Sequence, residues 1–277
     1  MKAELEAIVR TRATAAAITA EALQNIEGAS EFEFAQRILA GVEGHRELFP
    51  GGWYDPPPRG VAVLFGDNEH RRTQFETLRV PEFWPNEKYR FQSESVGMIY
   101  FSPVDKATGM FGDIGFSVYR GKSNETKQHL EDCLKIVNAV AECAEVGMRF
   151  CDLYTEAQAM FRNKAHKHIA WMTTTHDLLK INLGHTVPGS YSDDTPLGAT
   201  FEETKESIRT RRIYINEAEQ FVIPETCAFT VEARLVDAAE TQPNVFFHVI
   251  VVFSDGKKTI LTNFDDIFKA LGMDYML

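Results

Sequence analysis

The sequence lacks the features that would direct a protein to a membrane or to a nucleic acid. No apolar run approaches the roughly 18 residues that a membrane-spanning helix requires. Lysine and arginine form no cluster, and the formal net charge is −11. This charge argues against nucleic acid or an anionic membrane surface as the main partner. The amino-terminal stretch MKAELEAIVRTRATAAAI carries charges throughout, so we expect no secretory signal peptide.

The cysteines are few, and their spacing predicts neither a disulfide framework nor a CxxC metal or redox motif. They are Cys133, Cys143, Cys151 and Cys227. Small buried thiols of this kind suit a reducing compartment, and we therefore expect a cytoplasmic protein. The apolar fraction is 44% and the charged fraction 25%, which are ordinary values for a globular protein with a sizeable core.

Apolar periodicity predicts both helices and strands along the chain. Helices are predicted over residues 4–24, 31–42, 124–146, 152–161 and 264–271, and strands over 61–65, 97–101, 109–121, 211–216, 226–235 and 245–253. Residues 21–40 and 141–160 both read as helix, glycine, short turn and helix. This repeat indicates two halves of one α+β domain related by a pseudo-two-fold axis.

Three residues in apolar surroundings indicate a metal site. Asp113 lies within the predicted strand GMFGDIGFSVYRG, His185 ends the apolar run Leu183-Gly184-His185, and Glu232 lies within Phe229-Thr-Val-Glu232. A carboxylate inside a sheet is costly unless a cation or hydrogen-bond donors meet it. For a lone Asp, a structural salt bridge is the favoured explanation. One imidazole with two carboxylates, however, is a ligand set that suits Fe(II), Mn(II) or Zn(II).

These motifs together resemble the pita-bread family of methionine aminopeptidases, prolidases and creatinases. The resemblance covers nearly the whole chain, because the helix–Gly–helix opening, the three motifs above and the run from His248 to Gly256 occur in the family's order. It implies a single α+β domain over residues 1–277, with a curved antiparallel sheet backed by two helix pairs. It also implies that Asp113, His185 and Glu232 are metal ligands.

The chain departs from the family pattern at two ligand positions. The place of the family's first Asp holds Ser102, and the place of its final Glu holds Phe247. We expect Phe247 to face the site and His248 to face away, because neighbouring residues of a strand point to opposite sides. Without these two carboxylates, a dinuclear aminopeptidase site is not expected, and at most one divalent cation is.

The resemblance also suggests residues that contact the substrate. His70 matches one substrate-binding histidine of the family, and the position of the other falls near Ser192. We expect His70 and His185 to be the catalytic residues and Ser102, Ser192 and Phe247 to line the substrate pocket. A histidine of the 166–176 stretch is an alternative acid or base. His166 and His168 could also form a metal pair, although solvated surface histidines are the favoured interpretation.

Several functions agree with this pattern. The first is a one-metal enzyme that hydrolyses, or eliminates from, a small amino-acid-like or amide substrate. Oxidative chemistry at a non-haem iron is a variant on the same three ligands. Metal-free hydrolysis of the creatinase type and a catalytically silent binding module are the alternatives, and the metal is absent in both. The resemblance further implies a small-molecule substrate and a homodimer.

Overall fold

The computed structural model describes residues 2–66, 72–74, 77–169, 179, 181–192 and 196–277. Its helices are α1 Lys2–Ala22, α2 Glu31–Glu43, α3 Asn124–Cys143, α4 Phe150–Asn163, α5 Phe201–Arg211 and α6 Asp265–Leu271. Its strands are β1 Leu48–Gly52, β2 Val61–Leu64, β3 Gly97–Phe101, β4 Pro103–Asp105, β5 Ile114–Val118, β6 His166–His168, β7 Cys227–Val231, β8 Arg234–Asp237, β9 Val245–Ser254 and β10 Lys257–Leu261. None of the described helices combines the length and apolar character needed to cross a bilayer.

The main sheet is built around β9, the longest described strand. The strand order is β2-β3-β5-β9-β8-β6, and β7 and β10 also pair with β9. All these pairings are antiparallel. The first half of β9 bonds to β5 and β8, whereas its second half bonds to β7 and β10. A strand that changes neighbours along its length curls the sheet, and the described chain has the expected α+β class.

The helices pack as the two expected pairs. Helix α1 contacts α2, α3 contacts α4, and α3 lies directly on β9. A capping box begins α2: the Glu33 amide donates to Ser30 Oγ at 3.1 Å, and the Ser30 amide donates to Glu33 Oε2 at 2.7 Å. Local sequence signals therefore fix where the second helix begins.

Two apolar clusters fill the two faces of the sheet. The larger cluster lies between the sheet and the helices and includes Phe116 and Phe247. The smaller cluster includes Trp53, Tyr100 and Phe246. Since alternate residues of β9 enter different clusters, both faces of this strand are buried. The polar residues described below lie on the side of the smaller cluster.

Three predicted strands differ from the structure. The predicted strand 211–216 is wrong, because α5 continues to Arg211 and only an isolated bridge between Tyr214 and His185 follows. The predicted strand 226–235 is two strands, β7 and β8, with Glu232 in the break between them. The strand predicted over 109–121 begins only at Ile114, so Asp113 directly precedes β5 rather than lying within it.

Candidate functional site

Asp113 is placed by close contact between its own loop and helix α1. A Cβ atom on Gly112 would lie 2.2 Å from the backbone nitrogen of Arg12, so only glycine permits this approach. The Arg12 guanidinium donates to the carbonyl oxygen of Asp113 and, at 2.8 Å, to that of His248. The Asp113 carboxylate itself accepts from Trp53 Nε1 at 2.8 Å and from the Tyr100 hydroxyl at 3.0 Å.

His185 is placed by a second glycine. Gly184 has φ +143°, and a Cβ atom there would lie 2.1 Å from the carbonyl oxygen of Thr230. The His185 amide donates to Thr230 Oγ1 at 2.9 Å. The His185 ring nitrogen Nδ1 lies 3.0 Å from the carbonyl oxygen of Thr186, which fixes the proton on Nδ1. The lone pair of Nε2 is therefore free to face Glu232.

Glu232 occupies the break between β7 and β8. Its amide donates to the carbonyl oxygen of Leu183 at 2.7 Å, and its Oε1 accepts from Thr230 Oγ1 at 3.1 Å. The Leu183–His185 segment and the end of β7 therefore hold each other in place. This pairing brings His185 and Glu232 to the same cavity although they lie far apart in sequence.

His248 is the fourth member of the site, and the prediction that Phe247 faces the site is wrong. Phe247 packs on Phe264 and Phe268 in the larger apolar cluster. His248 pairs with Gly115 of β5 and points to the opposite face. There it lies beside Asp113. The physical reason is the strand register, which sends the odd-numbered residues of β9 into the helix-side core.

The four side chains lie next to one another in a row, and the nitrogen–oxygen distances between neighbours are slightly longer than hydrogen bonds. Nε2 of His185 lies 3.6 Å from Oε1 of Glu232, and Nε2 of His248 lies 3.9 Å from Oε2 of Glu232. Nε2 of His248 also lies 3.7 Å from Oδ2 of Asp113. Both ring nitrogens of His248 are buried without a hydrogen-bond partner among the described residues. Such an orphaned imidazole between carboxylates calls for a ligand.

Burial makes the charged forms of all four groups unfavourable. It raises the pKa of Glu232 to about 8, and the nearby Asp113 carboxylate acts in the same direction. It raises the pKa of Asp113 to about 7, although the Trp53 and Tyr100 hydrogen bonds oppose the rise. It lowers the pKa of His185 and of His248 well below the ordinary value of a histidine. Both carboxyl groups therefore gain or lose a proton near neutral pH.

A buried arginine borders the same cavity. The Arg212 side chain is 7% exposed, and its guanidinium carbon lies 4.5 Å from the Trp53 ring centroid. Its Nε and one terminal nitrogen have no hydrogen-bond partner among the described residues. The positive charge of Arg212 lowers the pKa of both Glu232 and Asp113 against the effect of burial. The strand predicted over 211–216 hid this residue from the sequence reasoning.

The cavity between these groups is small and mostly aromatic. As bounded by the described residues, it has a volume of about 20 Å³ and is lined by Trp53, Tyr54, Leu78, Tyr100, His185, Arg212 and Glu232. This volume is enough for about one water molecule. A substrate the size of an amino acid therefore requires movement of the walls.

The predicted pocket residues have different positions. The Ser102 hydroxyl accepts from the Tyr54 amide at 3.1 Å, so this serine supports the aromatic wall. Ser192 is half-buried. Neither serine is among the described residues that line the cavity. His70 and residues 170–176 of the 166–176 stretch lie outside the described residues.

The donor set fits one divalent cation. Two imidazole nitrogens and two carboxylates are ligands that Fe(II), Mn(II) and Zn(II) accept. Each Asp113 oxygen that accepts a hydrogen bond keeps a second lone pair for a cation. Among the described residues, the ligand atoms of no three of these four side chains lie within 4.8 Å of one another. Binding a cation therefore requires the side chains to move inward.

Comparison with solved structures supports the fold. An X-Pro aminopeptidase from Thermotoga maritima matches with a TM-score of 0.65 and 19% identity, over 95% of this chain and 61% of its own. A prolidase from Pyrococcus furiosus matches with a TM-score of 0.64 and 18% identity, over 95% and 64%. A methionine aminopeptidase from Thermotoga maritima has a TM-score of 0.66 and 12% identity, over 95% and 97%. The chain thus spans less than two thirds of the length of the first two.

The sequence comparisons are of two kinds. A search of curated proteins found no match. The model of metallopeptidase family M24, in contrast, matches residues 6–250. Together with the antiparallel sheet, the two helix pairs and the structural neighbours, this match confirms the expected pita-bread fold. The chain belongs to metallopeptidase family M24.

Proposed function

We propose that the protein is a metal-dependent hydrolase with one divalent cation, acting on a small amino-acid-like or amide substrate. One observation carries the proposal: two histidines and two carboxylates meet in one buried cluster, and the His248 imidazole there has no partner among the described residues. Membership of a metallopeptidase family supports the same chemistry. The cation would be held by Asp113, His185 and Glu232, with His248 as the fourth ligand.

One cation is favoured over two because carboxylates are scarce. A dinuclear centre shares carboxylates between its cations, and their negative charge balances both. Here Ser102 occupies the position of one family carboxylate, and its hydroxyl is engaged by the Tyr54 amide. His248 supplies a neutral nitrogen where another carboxylate would be needed. The charge that remains suits a single cation.

The side chains divide the remaining work of hydrolysis. A bound divalent cation would polarise the scissile carbonyl group or acidify a water molecule. Glu232 borders the cavity and has a pKa raised to about 8, so in the metal-free protein it holds a proton near neutral pH, and it would release that proton when it binds the cation. Trp53 and Tyr100 fix the orientation of Asp113 through their hydrogen bonds. The aromatic wall excludes bulk water and strengthens these interactions.

Arg212 indicates a substrate that carries a carboxylate. Its guanidinium lies at the cavity, is buried, and has nitrogens without a partner among the described residues. A planar guanidinium binds a carboxylate through two parallel hydrogen bonds. An amino acid amide or dipeptide with a free carboxyl group would therefore place its amide bond beside Glu232. We further propose a cytoplasmic homodimer with no nucleic-acid partner, from the composition and the family resemblance.

Metal analysis of the purified protein tests the proposal. We expect Asp113→Ala, His185→Ala, Glu232→Ala and His248→Ala each to lose about one equivalent of metal relative to the unmodified protein. Ser102→Ala is the matched control, because this serine lies beside the site but is not proposed to be a ligand. Loss of two equivalents would indicate a dinuclear centre. Unchanged metal content in all four variants would refute the one-metal site.

Activity measurements separate the alternatives. Release of an amine from carboxylate-bearing dipeptides, dependent on added metal, supports hydrolysis. Oxygen consumption with Fe(II) would identify oxidative chemistry instead. Turnover without metal that still requires His185 would indicate metal-free hydrolysis, and the absence of turnover with any substrate would indicate a binding module.

A further inference from the structure

A second group of side chains able to bind a metal lies between helix α3 and strand β6. His129 and Cys133 are four residues apart on α3 and therefore share one face of the helix. His166 begins the edge strand β6, and its ring centroid lies 5.3 Å from that of His129. All three residues are buried, and one ligand atom from each lies within 4.8 Å of the others. The described residues contain no other such group of three or more.

The hydrogen bonds of the two imidazoles direct two lone pairs at each other. Nε2 of His129 lies 3.0 Å from the carbonyl oxygen of Pro243, and Nδ1 of His166 lies 2.7 Å from that of Lys164. A carbonyl oxygen can only accept, so each of these nitrogens carries a proton. The opposite nitrogens, Nδ1 of His129 and Nε2 of His166, lie 3.3 Å apart. Two lone pairs at this separation repel unless a cation or a proton lies between them.

Two of the three separations are close to those of a tetrahedral zinc ion, and the third is below 4.8 Å. Zinc–nitrogen bonds of about 2.0–2.1 Å at a tetrahedral angle place two ligand nitrogens about 3.3 Å apart, and a zinc-bound sulfur about 3.6 Å from a nitrogen. The observed distances are 3.3 Å between the two nitrogens and 3.8 Å between Cys133 Sγ and His129 Nδ1. Sγ lies at the same 3.8 Å from His129 Nε2, so the His129 ring would turn to direct Nδ1 at a shared ion. The backbone carbonyls that bind the outer nitrogens are the usual partners of metal-bound histidines.

The surroundings favour a cation over an anion. An open cleft at the cluster is lined by Asn124, Glu125, Gln128, Asp132 and Asp237 as well as the two histidines. The negative charges of Asp132 and Asp237 favour positive charge at His129, whereas burial lowers the pKa of this histidine. A doubly charged cation bound by neutral imidazoles satisfies both conditions.

We propose that His129, Cys133 and His166 form a second metal site, which binds Zn²⁺ and leaves the fourth position open to the cleft for a water molecule. Binding deprotonates the Cys133 thiol and releases that proton to solvent. The site would tie α3 to β6, a strand of three residues that pairs only with β8 among the described strands. It shares no residue with the cluster around Asp113.

Titration of the chelator-treated protein with Co²⁺ tests this proposal. Cobalt takes the place of zinc and gives thiolate-to-metal absorption only when a cysteine is a ligand. The site around Asp113 contains no cysteine, so this absorption reports the second site alone. We expect one equivalent of thiolate-bound Co²⁺ in the unmodified protein and in Glu232→Gln.

Variants locate the signal. We expect Cys133→Ser and His166→Gln to lose the thiolate absorption, and Cys227→Ser, which removes another buried cysteine, to keep it. The circular dichroism of each variant checks the fold, and His166→Gln leaves the helix residues unchanged. If His129 and His166 only share a proton, the unmodified protein would show no thiolate absorption, and this result would overturn the proposal. Absorption that survives in Cys133→Ser would do the same.

Discussion

The pH dependence of stability gives the sharpest test of the buried carboxylates. Glu232 has its pKa raised to about 8 by burial and by Asp113. An unfolded chain returns this group to its ordinary pKa of about 4.3. Between these two values the folded protein binds more protons than the unfolded chain. The stability that Glu232 contributes as a neutral acid is therefore complete below its unfolded pKa and is lost as the pH rises through about 8.

The size of the loss follows from linkage. Between about pH 6.5 and pH 8.5, a pKa of about 8 in the folded state corresponds to a decrease of roughly 2 kcal/mol in the free energy of unfolding. The lowered pKa values of His185 and His248 act in the opposite direction, mainly below about pH 6.5.

Comparison with Glu232→Gln isolates the effect of this residue. Urea unfolding of both proteins, freed of metal with a chelator, gives the free energy of unfolding at each pH. We expect the unmodified protein to lose about 2 kcal/mol relative to Glu232→Gln over this range. With a saturating divalent cation this loss should disappear, because the cation keeps the carboxylate deprotonated in the folded protein, as it already is in the unfolded chain at these pH values. Parallel pH profiles for the two metal-free proteins would refute the assignment of a neutral Glu232.

Three further changes test the placement of the site. His248→Leu should lower metal affinity at least tenfold in a metal titration, whereas Phe247→Leu should keep the affinity. Phe247→Leu should instead lower the free energy of unfolding in urea by about 1 kcal/mol. If Phe247→Leu lost the metal and His248→Leu kept it, Phe247 would face the site as the sequence predicted. Gly112→Ala should cost about 3 kcal/mol in urea unfolding, because its Cβ would meet the backbone nitrogen of Arg12 at 2.2 Å, and an unchanged midpoint would contradict this contact. Arg212→Met should raise KM about tenfold or more for a dipeptide with a free carboxyl group and far less for its amide, and an equal effect on both would contradict carboxylate binding.

The sequence of β9 does not show which of its residues point toward the site. Both faces of this strand are apolar, with Phe247 and Val249 on one side and Phe246 and Ile250 on the other. Alternation of polar and apolar residues therefore gives no sign of which face is which. The pairing of His248 with Gly115, which lie far apart in the chain, decides which residues of β9 point toward the site. Such a register cannot be derived from the strand alone.

Helix α5 was missed for a different reason, because its sequence does contain a local signal for a helix start. Thr200 and Glu203 form a capping box, with hydrogen bonds of 3.2 Å and 2.9 Å between them. This spacing is visible in the sequence and predicts a helix start. The helix ends at Arg211, so Arg212 follows it directly and reaches the cavity. The motifs around Asp113, His185 and Glu232 could be found in the sequence because each is a short segment with its own glycine or strand end.

The charges around the cavity support a single cation with an anionic substrate. Asp113 and Glu232 supply two negative charges at most, and the guanidinium groups of Arg12 and Arg212 already match them. One divalent cation would then leave two positive charges in a buried site, and a second cation would double that excess. A substrate carboxylate at Arg212 and a hydroxide ion from water would neutralise the charge of one cation. The same pair of anions could not neutralise two, and buried charge without a partner is strongly unfavourable.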